Sequence, residues 1–291
     1  MIQKLLFINN RFCNYLFKLL KYDKDFFSSA NAQKYIFALK YTNKTNDIIS
    51  KREPIKNLAD IKKINLSSLN DLYDNFFKVD INKICSDTGR KIYDEKFPLF
   101  KTSIELIENK LNYDLDKTFI YQFLKSFVPK NYAEVFRLKN NKNILSSLSQ
   151  HSKFYPWMHS LPQRHQFAGL FGFKKDIFVE MIILKLINLI HSFNKFSFIP
   201  NANDSIMGYL MIKKNDYRFV ITAGTHRTSV FLSMYEKKIL DIENLIMKFD
   251  NYRIDKQYYI IDINKINLWP AVKKGYISRE EAAEQFNSYF L

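Results

Sequence analysis

The chain has 291 residues, of which 47% are hydrophobic and 25% are charged, and this composition excludes an extended disordered protein. Only 6 glycines and 7 prolines are present, so long flexible linkers are not expected. The formal net charge of +16 fits either an evenly charged surface or a basic face that binds nucleic acid, nucleotide or anionic lipid. The two cysteines, Cys13 and Cys85, lie far apart without metal-ligand spacing, which predicts buried thiols rather than a disulfide or a metal site.

The first residues of the chain are apolar but repeatedly interrupted. Charged and amide side chains break the segment 1–24, so it predicts neither a signal peptide nor a membrane-spanning helix, and a cytoplasmic protein is expected. One apolar helical face flanked by Lys and Arg would consist of Leu5, Phe12, Tyr15, Leu16, Leu19 and Leu20. This face fits either packing in the core or peripheral contact with a membrane surface.

The region 1–150 is predicted to be mostly helical, since segments such as 67–77 and 100–111 carry apolar residues at helical spacing. It shows neither an internal repeat nor a catalytic spacing, so a structural or substrate-recognising role is expected. The composition changes near residue 151. Residues 151–173 hold three of the five histidines and two of the prolines, which is typical of a loop, and a long helix is predicted over residues 175–193.

A β-hairpin is predicted after this helix. Two sets of side chains alternate along residues 208–212 and 217–222, and the four residues between these runs are polar and form a turn. One set comprises Tyr209, Met211, Arg218, Val220 and Thr222, and the other comprises Leu210, Ile212, Phe219 and Ile221. Further elements predicted in this part of the chain are a helix over residues 225–238 and strands at 245–249 and 258–263.

The last predicted helix has a clear start. Ser278 and Glu281 match the capping box, in which the Ser hydroxyl accepts from the N3 amide and the Glu carboxylate accepts from the cap amide. They predict a helix from residue 279 to about residue 290. Its inward face is predicted to consist of Ala282, Ala283, Phe286 and Phe290.

The most informative pattern lies between the second hairpin strand and the following helix, at residues 223–227, AGTHR, here termed the glycine turn. Gly224 permits the positive φ that a tight turn needs and lets a ligand approach the backbone. The first helical turn then presents unpaired amides and the positive end of the helix dipole to an anion. Thr225 adds a hydroxyl, His226 a proton donor and Arg227 a planar fork that matches two phosphate oxygens. The pattern predicts a phosphate-binding site; the alternative is a turn capped by His226 with Arg227 in a surface ion pair.

Residues 219–249 resemble the nucleotide-binding core of the ParB/sulfiredoxin superfamily, whose pattern is an apolar strand, Asp-Gly-x-His-Arg, a helix and a further strand. The likeness extends over about residues 175–263. It implies a small α/β domain in which the glycine turn binds the phosphates of ATP, ADP or another nucleotide, with Mg²⁺ as an accompanying ion. The residues that match the family motif and would contact the phosphates are Gly224, Thr225, His226 and Arg227.

Three departures from the family pattern narrow what the resemblance implies. Sulfiredoxins carry their reactive cysteine at the position of Thr225, so reduction of cysteine sulfinic acid is not expected. The usual acid before the glycine is replaced by Ala223, which weakens the inference of metal-assisted phosphotransfer. Chromosome-partitioning relatives continue into a helix-turn-helix domain, for which too few residues follow residue 263, so DNA partitioning is not expected either.

The remaining branch of the family resembles small-molecule kinases, such as the ADP-dependent serine kinase, and domains linked to surface-polysaccharide biosynthesis. A kinase needs a base for the acceptor hydroxyl and positive charge around the transferred phosphoryl group. The resemblance implies a glutamate before the phosphate site as this base, and Glu180 is its candidate here, the alternative being a solvated helix residue. His165 is a second candidate base, while Arg164 and Gln163 are candidates for binding the acceptor.

Together these patterns predict an α+β protein. It comprises a mostly helical N-terminal region (1–150), a small ParB/sulfiredoxin-like α/β domain (151–265) and a C-terminal extension with one helix (266–291). The predicted function is a nucleotide-dependent, kinase-like phosphotransferase acting on a small hydroxylated metabolite or sugar intermediate, in surface-polysaccharide biosynthesis or elsewhere. A non-catalytic nucleotide- or nucleic-acid-binding module stays open as the alternative, favoured by the positive charge and by Ala223.

Overall fold

The fold is built on one large β-sheet. The computed structural model describes residues 54–55, 61, 76–138, 144–164, 172, 174–196, 206–240, 244–250 and 253–291. The strands in chain order are β1 (Pro54–Ile55), β2 (Phe76–Asp80), β3 (Ile84–Ser86), β4 (Ser152–Lys153), β5 (Gln163–Arg164), β6 (Ile206–Lys213), β7 (Asp216–Ala223), β8 (Asn244–Phe249) and β9 (Ile260–Asp262). All belong to the large sheet except β4 and β5, which pair with each other.

Helices pack against this sheet and connect its strands. The α-helices are α1 (Pro98–Glu108), α2 (Phe119–Ser126), α3 (Tyr132–Val135), α4 (Ile144–Ser147), α5 (Asp176–Phe196), α6 (Thr225–Glu236), α7 (Pro270–Lys273) and α8 (Arg279–Asn287). Short 3-10 helices lie at Ile81–Lys83, Leu115–Lys117, Lys256–Tyr258, Ile263–Leu268 and Ser288–Phe290.

The strand order in the large sheet is β1-β2-β8-β6-β7-β3, with β9 paired to the second half of β6. β6 and β7 form an antiparallel hairpin at the centre, while β3 runs parallel to β7. β8 also runs parallel to β6. The sheet is therefore mixed, and the chain must cross over between β3 and β7 because parallel neighbours cannot be joined by a short turn.

Alternate side chains of the hairpin enter two different cores. Leu210 and Phe219 belong to a core that includes residues of α1, α5 and α6. Tyr209, which precedes Leu210, and Val220, which follows Phe219, belong to a second core that includes residues of α8. All four side chains are buried. Successive strand residues point to opposite sides of a sheet, so the hairpin separates two layers of helices and is apolar on both faces.

An ion-pair cluster fixes β3 to the start of β7. The carboxylate of Asp216 accepts from Lys83 Nζ at 2.6 Å and from Arg218 Nη1 at 2.7 Å. Arg218 is buried, and its guanidinium lies 4.9 Å from the centroid of the Phe290 ring. Because Lys83 directly precedes β3, this contact links the start of β3 to the start of β7.

Several sequence predictions are confirmed. The hairpin forms with its turn between residues 213 and 216, and helices occupy the predicted segments at 100–111, 175–193 and 225–238. Both capping-box hydrogen bonds are present, from Glu281 N to Ser278 Oγ at 3.1 Å and from Ser278 N to Glu281 Oε2 at 3.0 Å. Ala282 and Phe286 are buried on the predicted inward face of α8.

Two local predictions are wrong. Phe76 and Phe77, assigned to a helical segment at 67–77, lie in β2, which pairs with β8 along all five of its residues. Residues 163–164, predicted as loop, form β5. β2 pairs with β8, far away in sequence, and this pairing overrides the local pattern there. β5 pairs with β4, which lies within the same predicted loop, so this loop contains a short two-stranded sheet.

The mixture of helices and strands agrees with the predicted α+β class. The region before residue 150 contributes β1, β2 and β3 to the sheet as well as helices. The ParB/sulfiredoxin-like topology and the boundaries at residues 150 and 265 stay predictions.

Other predictions fall elsewhere in the chain. The apolar N-terminal face of residues 1–24, Cys13 and His165 lie outside the described residues. Cys85 is buried in β3, and this burial raises the pKa of its thiol to about 12, as expected for an unreactive thiol. None of the helices within the described ranges has the length and hydropathy required to cross a bilayer.

The capping box gives a test of the C-terminal packing. Ser278→Ala removes the acceptor for Glu281 N, so we expect the free energy of unfolding to fall by about 1 kcal/mol. Ser278→Asp keeps a capping oxygen, so its free energy of unfolding should stay within roughly a few tenths of a kcal/mol of the wild-type value. Urea unfolding followed by circular dichroism measures both. Equal stability of the Ala and Asp variants would contradict the role of the cap.

Candidate functional site

The candidate site lies where two parallel strands end. β3 and β7 pair with Ser86 opposite Ile221, and both strands end within two residues of that pair. The turn that follows β3 and the glycine turn that follows β7 therefore start at the same edge of the sheet. Ligands of open sheets commonly bind outside the carboxyl ends of parallel strands, where such turns meet.

The glycine turn has the geometry that the sequence predicted. Gly224 is the N-cap of α6, with a φ of 96° in the left-handed region. A Cβ atom added to Gly224 would lie 3.1 Å from the Cα of Ile206 in β6, so the close packing also favours glycine. The first helical hydrogen bond is donated by Thr228 N to Gly224 O at 2.9 Å, and no side chain caps the turn. The amides of Thr225 and His226 thus precede the first intrahelical bond and are available to a ligand.

The end of β7 is held by the loop after β8. The hydroxyl of Thr222 donates to Oδ2 of Asp250, a residue that is fully buried. Arg253 Nη1 donates to Thr222 O at 2.6 Å, and Arg253 N donates to Asp250 Oδ1 at 3.1 Å. These contacts fix the backbone immediately before the glycine turn.

A cleft of about 490 Å³ opens at this edge, which is large enough for a small-molecule ligand. Gly224, Thr225 and His226 line one part of it, and the turn after β3 lines another. Much of the remaining wall is apolar. Its aromatic members are Phe97, Phe123, Phe127, Tyr132, Phe136, Tyr155 and Phe178.

The charged side chains around the cleft are mainly basic. Among the described residues that line it, Arg90, Lys153 and Lys185 are cationic, and Asp87 is the only carboxylate. Cations that converge on a partly apolar concavity raise the local concentration of anionic ligands. The charge balance of the cleft therefore favours an anion.

His226 is held in its neutral form. Burial disfavours the imidazolium, and the nearby charges of Lys185 and Arg227 add repulsion, so the pKa of His226 falls to about 4. At neutral pH the imidazole can donate one hydrogen bond and accept one. The neutral imidazole of His226, beside the open amides, can donate a hydrogen bond to a phosphate oxygen without adding a positive charge to the site.

One face of α5 forms a wall of the cleft. Phe178, Met181, Ile182 and Lys185 all line it, and their spacing is that of a single helical face. Glu180 does not belong to the residues that line the cleft, and its position on α5 is off this face. The structure thus does not bring Glu180, the implied base, to the glycine turn.

Of the other predicted site residues, Arg227 lies in α6, whereas Gln163 and Arg164 form β5. Arg227 is the third residue of α6 and is not among the residues that line the cleft. Gln163 is exposed in β5, where it pairs with Lys153 of β4, and Arg164 pairs with Ser152. β4 thus brings two residues to the cleft wall, and β5 lies directly beside it.

The sequence interpretation missed Arg90, Lys153 and Lys185. A signal for Arg90 was present, since residues 84–90 read ICSDTGR and repeat the order of residues 221–227, a strand followed by a glycine turn and an arginine. Gly89 has a φ of 74°, as the second turn requires. Lys153 and Lys185 had no such signal, because lysines are abundant along the chain.

The C-terminal extension supports the wall that carries Lys153 and Tyr155. Phe154 lies between them, and its carbonyl accepts from Tyr132 Oη at 2.5 Å and from Gln285 Nε2 of α8 at 2.9 Å. Because both flanking residues line the cleft, packing of α8 positions part of the site.

Within the described ranges, no group of three or more His, Cys, Asp or Glu side chains is placed to bind a metal ion.

No family model, no curated protein and no solved structure matches this chain. The resemblance to the ParB/sulfiredoxin superfamily therefore stays a prediction from the sequence.

The close packing of Gly224 can be tested against a matched glycine. Gly224→Ala places a Cβ in the left-handed region and against Ile206, so the free energy of unfolding should fall by more than the roughly 1–2 kcal/mol of the backbone strain alone. Gly275→Ala is the control, since its φ is 69° and an added Cβ meets nothing within 4 Å. Urea unfolding compares the two variants, and equal losses would contradict the close contact.

The depressed pKa of His226 predicts a pH dependence of stability. Above about pH 7 the imidazole is neutral in both states and makes no difference. As the pH falls from 6.5 to 4, the unfolded chain gains a proton that the folded site resists, so the free energy of unfolding drops by up to about 3 kcal/mol. His226→Gln should flatten this part of the profile. His191→Gln, at an exposed position of α5, should leave it unchanged; identical profiles for wild type and His226→Gln would contradict the burial of the imidazole.

Proposed function

We propose that the protein is a nucleotide-dependent, kinase-like phosphotransferase whose nucleotide binds in the cleft at the glycine turn. The observation that carries this proposal is the meeting of open helix amides with three cationic side chains and one carboxylate at the carboxyl edge of β3 and β7. The open amides and the excess of cationic side chains both favour a negatively charged ligand. The cleft volume and its aromatic wall suit a ligand with a planar or apolar part in addition to phosphates.

The roles of the residues follow from their positions. The amides of Thr225 and His226 donate to phosphate oxygens, and the neutral imidazole of His226 adds a directional hydrogen bond. Lys185 offsets the charge that spreads over the transferred phosphoryl group. The acceptor is a small hydroxylated metabolite or sugar intermediate, and a role in surface-polysaccharide biosynthesis rests on the sequence resemblance alone.

Among the described residues that line the cleft, one carboxylate is available for Mg²⁺. This ion is usually bound through one or two carboxylates together with substrate phosphates. Asp87, exposed in the turn after β3, would supply one such oxygen. When bound, Mg²⁺ neutralises charge on the phosphates.

A second candidate function is nucleotide or nucleic-acid binding without turnover. The position of Glu180 away from the cleft favours it, because no glutamate then serves as the acceptor base among the described lining residues. His165 keeps the role of predicted base in the leading proposal. The two functions share the same phosphate site and differ in whether a phosphoryl group is transferred.

The Lys185 side chain tests the nucleotide site. Lys185→Met keeps the length of the side chain and removes its charge, so we expect ADP and ATP to bind about three- to tenfold more weakly in calorimetry. Lys175→Met is the control, because Lys175 is exposed just before α5 and does not line the cleft. Failure of the wild-type protein to bind either nucleotide, with or without Mg²⁺, would contradict the proposal.

Turnover separates the two functions. Phosphorus NMR of the protein with ATP or ADP and a panel of hydroxylated acceptors should show a new phosphate ester if the leading proposal holds. Nucleotide binding without any product supports the non-catalytic module. Affinity for generic DNA that falls steeply with salt would indicate nucleic acid as the ligand instead.

A further inference from the structure

Arg90 occupies an unusual position in the cleft. It follows Gly89 in the turn after β3, is half-buried, and lines the cleft together with Phe123 and Phe127. The guanidinium carbon lies 4.3 Å from the centroid of the Phe127 ring and 5.1 Å from that of Phe123. Cation–π contact with two rings restricts the movement of the guanidinium and removes part of its hydration. The guanidinium is therefore partly positioned before any ligand arrives.

Arg90 has no ion-pair partner among the described carboxylates, although the charge of Asp94 acts on it from a greater distance. Asp94 Oδ1 accepts a hydrogen bond from Lys96 N at 2.8 Å. Burial and the neighbouring charge of Arg137 lower the pKa of Arg90 to about 10, which leaves it charged at neutral pH. Arg137 Nη2 donates to Gly89 O at 3.4 Å, so a second guanidinium lies at the same turn. A half-buried positive charge beside a second guanidinium is stabilised when an anion binds to it.

Arg90 and the glycine turn belong to one cleft but to different strands. Arg90 follows β3, whereas Gly224 follows β7, and the two strands pair side by side and in parallel. The aromatic rings beneath Arg90 belong to α2 and to the residue after it, away from the helix that starts at Gly224. The cleft thus has two places suited to an anion, on separate elements.

We propose that Arg90 forms a second anion-binding subsite in this cleft, and that it binds a carboxylate or phosphate group carried by the acceptor substrate. The inference rests on the proposed function, since it assigns the glycine turn to the nucleotide and Arg90 to the acceptor. It names the acceptor class as hydroxylated molecules with an anionic group of their own. The planar fork of Arg90 donates hydrogen bonds to two oxygens of such a group at once.

The experiment uses three probes with one hydroxylated three-carbon skeleton: glycerol, glycerate and glycerol 3-phosphate. The full-length protein is first titrated with ADP, which tests the proposed function, and each probe is then titrated into ADP-saturated protein by calorimetry. We expect glycerate or glycerol 3-phosphate to bind and glycerol not to bind; which of the two binds more tightly tells a carboxylate site from a phosphate site. Arg90→Met keeps the packing of the side chain on the rings and should weaken anionic-probe binding by about 10- to 100-fold while leaving ADP affinity unchanged.

Arg279→Met is the control, because it makes the same change of charge at an exposed position of α8 and should alter neither binding. Equal binding of glycerol and the anionic probes, binding of no anionic probe, or an equal loss of ADP and probe affinity in Arg90→Met would each overturn the subsite. If the wild type binds neither ADP nor ATP, the proposed function is overturned instead. The subsite is then still tested on ADP-free protein, where anionic-probe binding that does not depend on Arg90 would refute it.

Discussion

The parallel pairing of β3 with β7 is the contact on which the candidate site depends. Cys85 lies opposite Val220 in this pairing, and both side chains are buried, so the register is fixed by the core. A shift of β3 by one residue would move the side chain of Cys85 to the other face of the sheet, away from the core that it shares with Val220. Because of this register, the turn after β3, which carries Gly89 and Arg90, lies at the same edge of the sheet as the glycine turn. The cleft is thus a consequence of strand pairing rather than of any single loop.

Packing on the far side of the sheet extends this constraint to the walls of the cleft. The C-terminal helix holds Phe154 through Gln285, and the aromatic core that surrounds it includes Trp157 and Trp269, with ring centroids 5.5 Å apart. The backbone between Lys153 and Tyr155 is therefore held in place by these contacts although it is not part of the large sheet. Arg90, Lys153 and Lys185 line the same cleft in this frame, so an anionic ligand there would offset their positive charge.

Local elements of this fold could be predicted from the sequence, and the pairings between distant segments could not. The hairpin, the glycine turn and the cap at Ser278 each depend on residues within a few positions of one another, so the pattern contains the information. β2 depends on β8, far away in the chain, and its Phe76 was assigned to a helix. The same reason explains the site: Gly224 and His226 could be predicted, whereas Arg90 reaches the cleft only through pairing of β3. Glu180 shows the converse, since it is close to the hairpin in sequence but lies off the face of α5 that lines the cleft.

A crystal structure of the protein bound to ADP is the most direct test of this account. The account predicts that phosphate oxygens lie within hydrogen-bond distance of the amides of Thr225 and His226, with Lys185 beside them. Arg90 should remain stacked on Phe123 and Phe127 and clear of the nucleotide. Phosphates bound elsewhere on the protein, with the amides of the glycine turn facing solvent, would contradict the central claim.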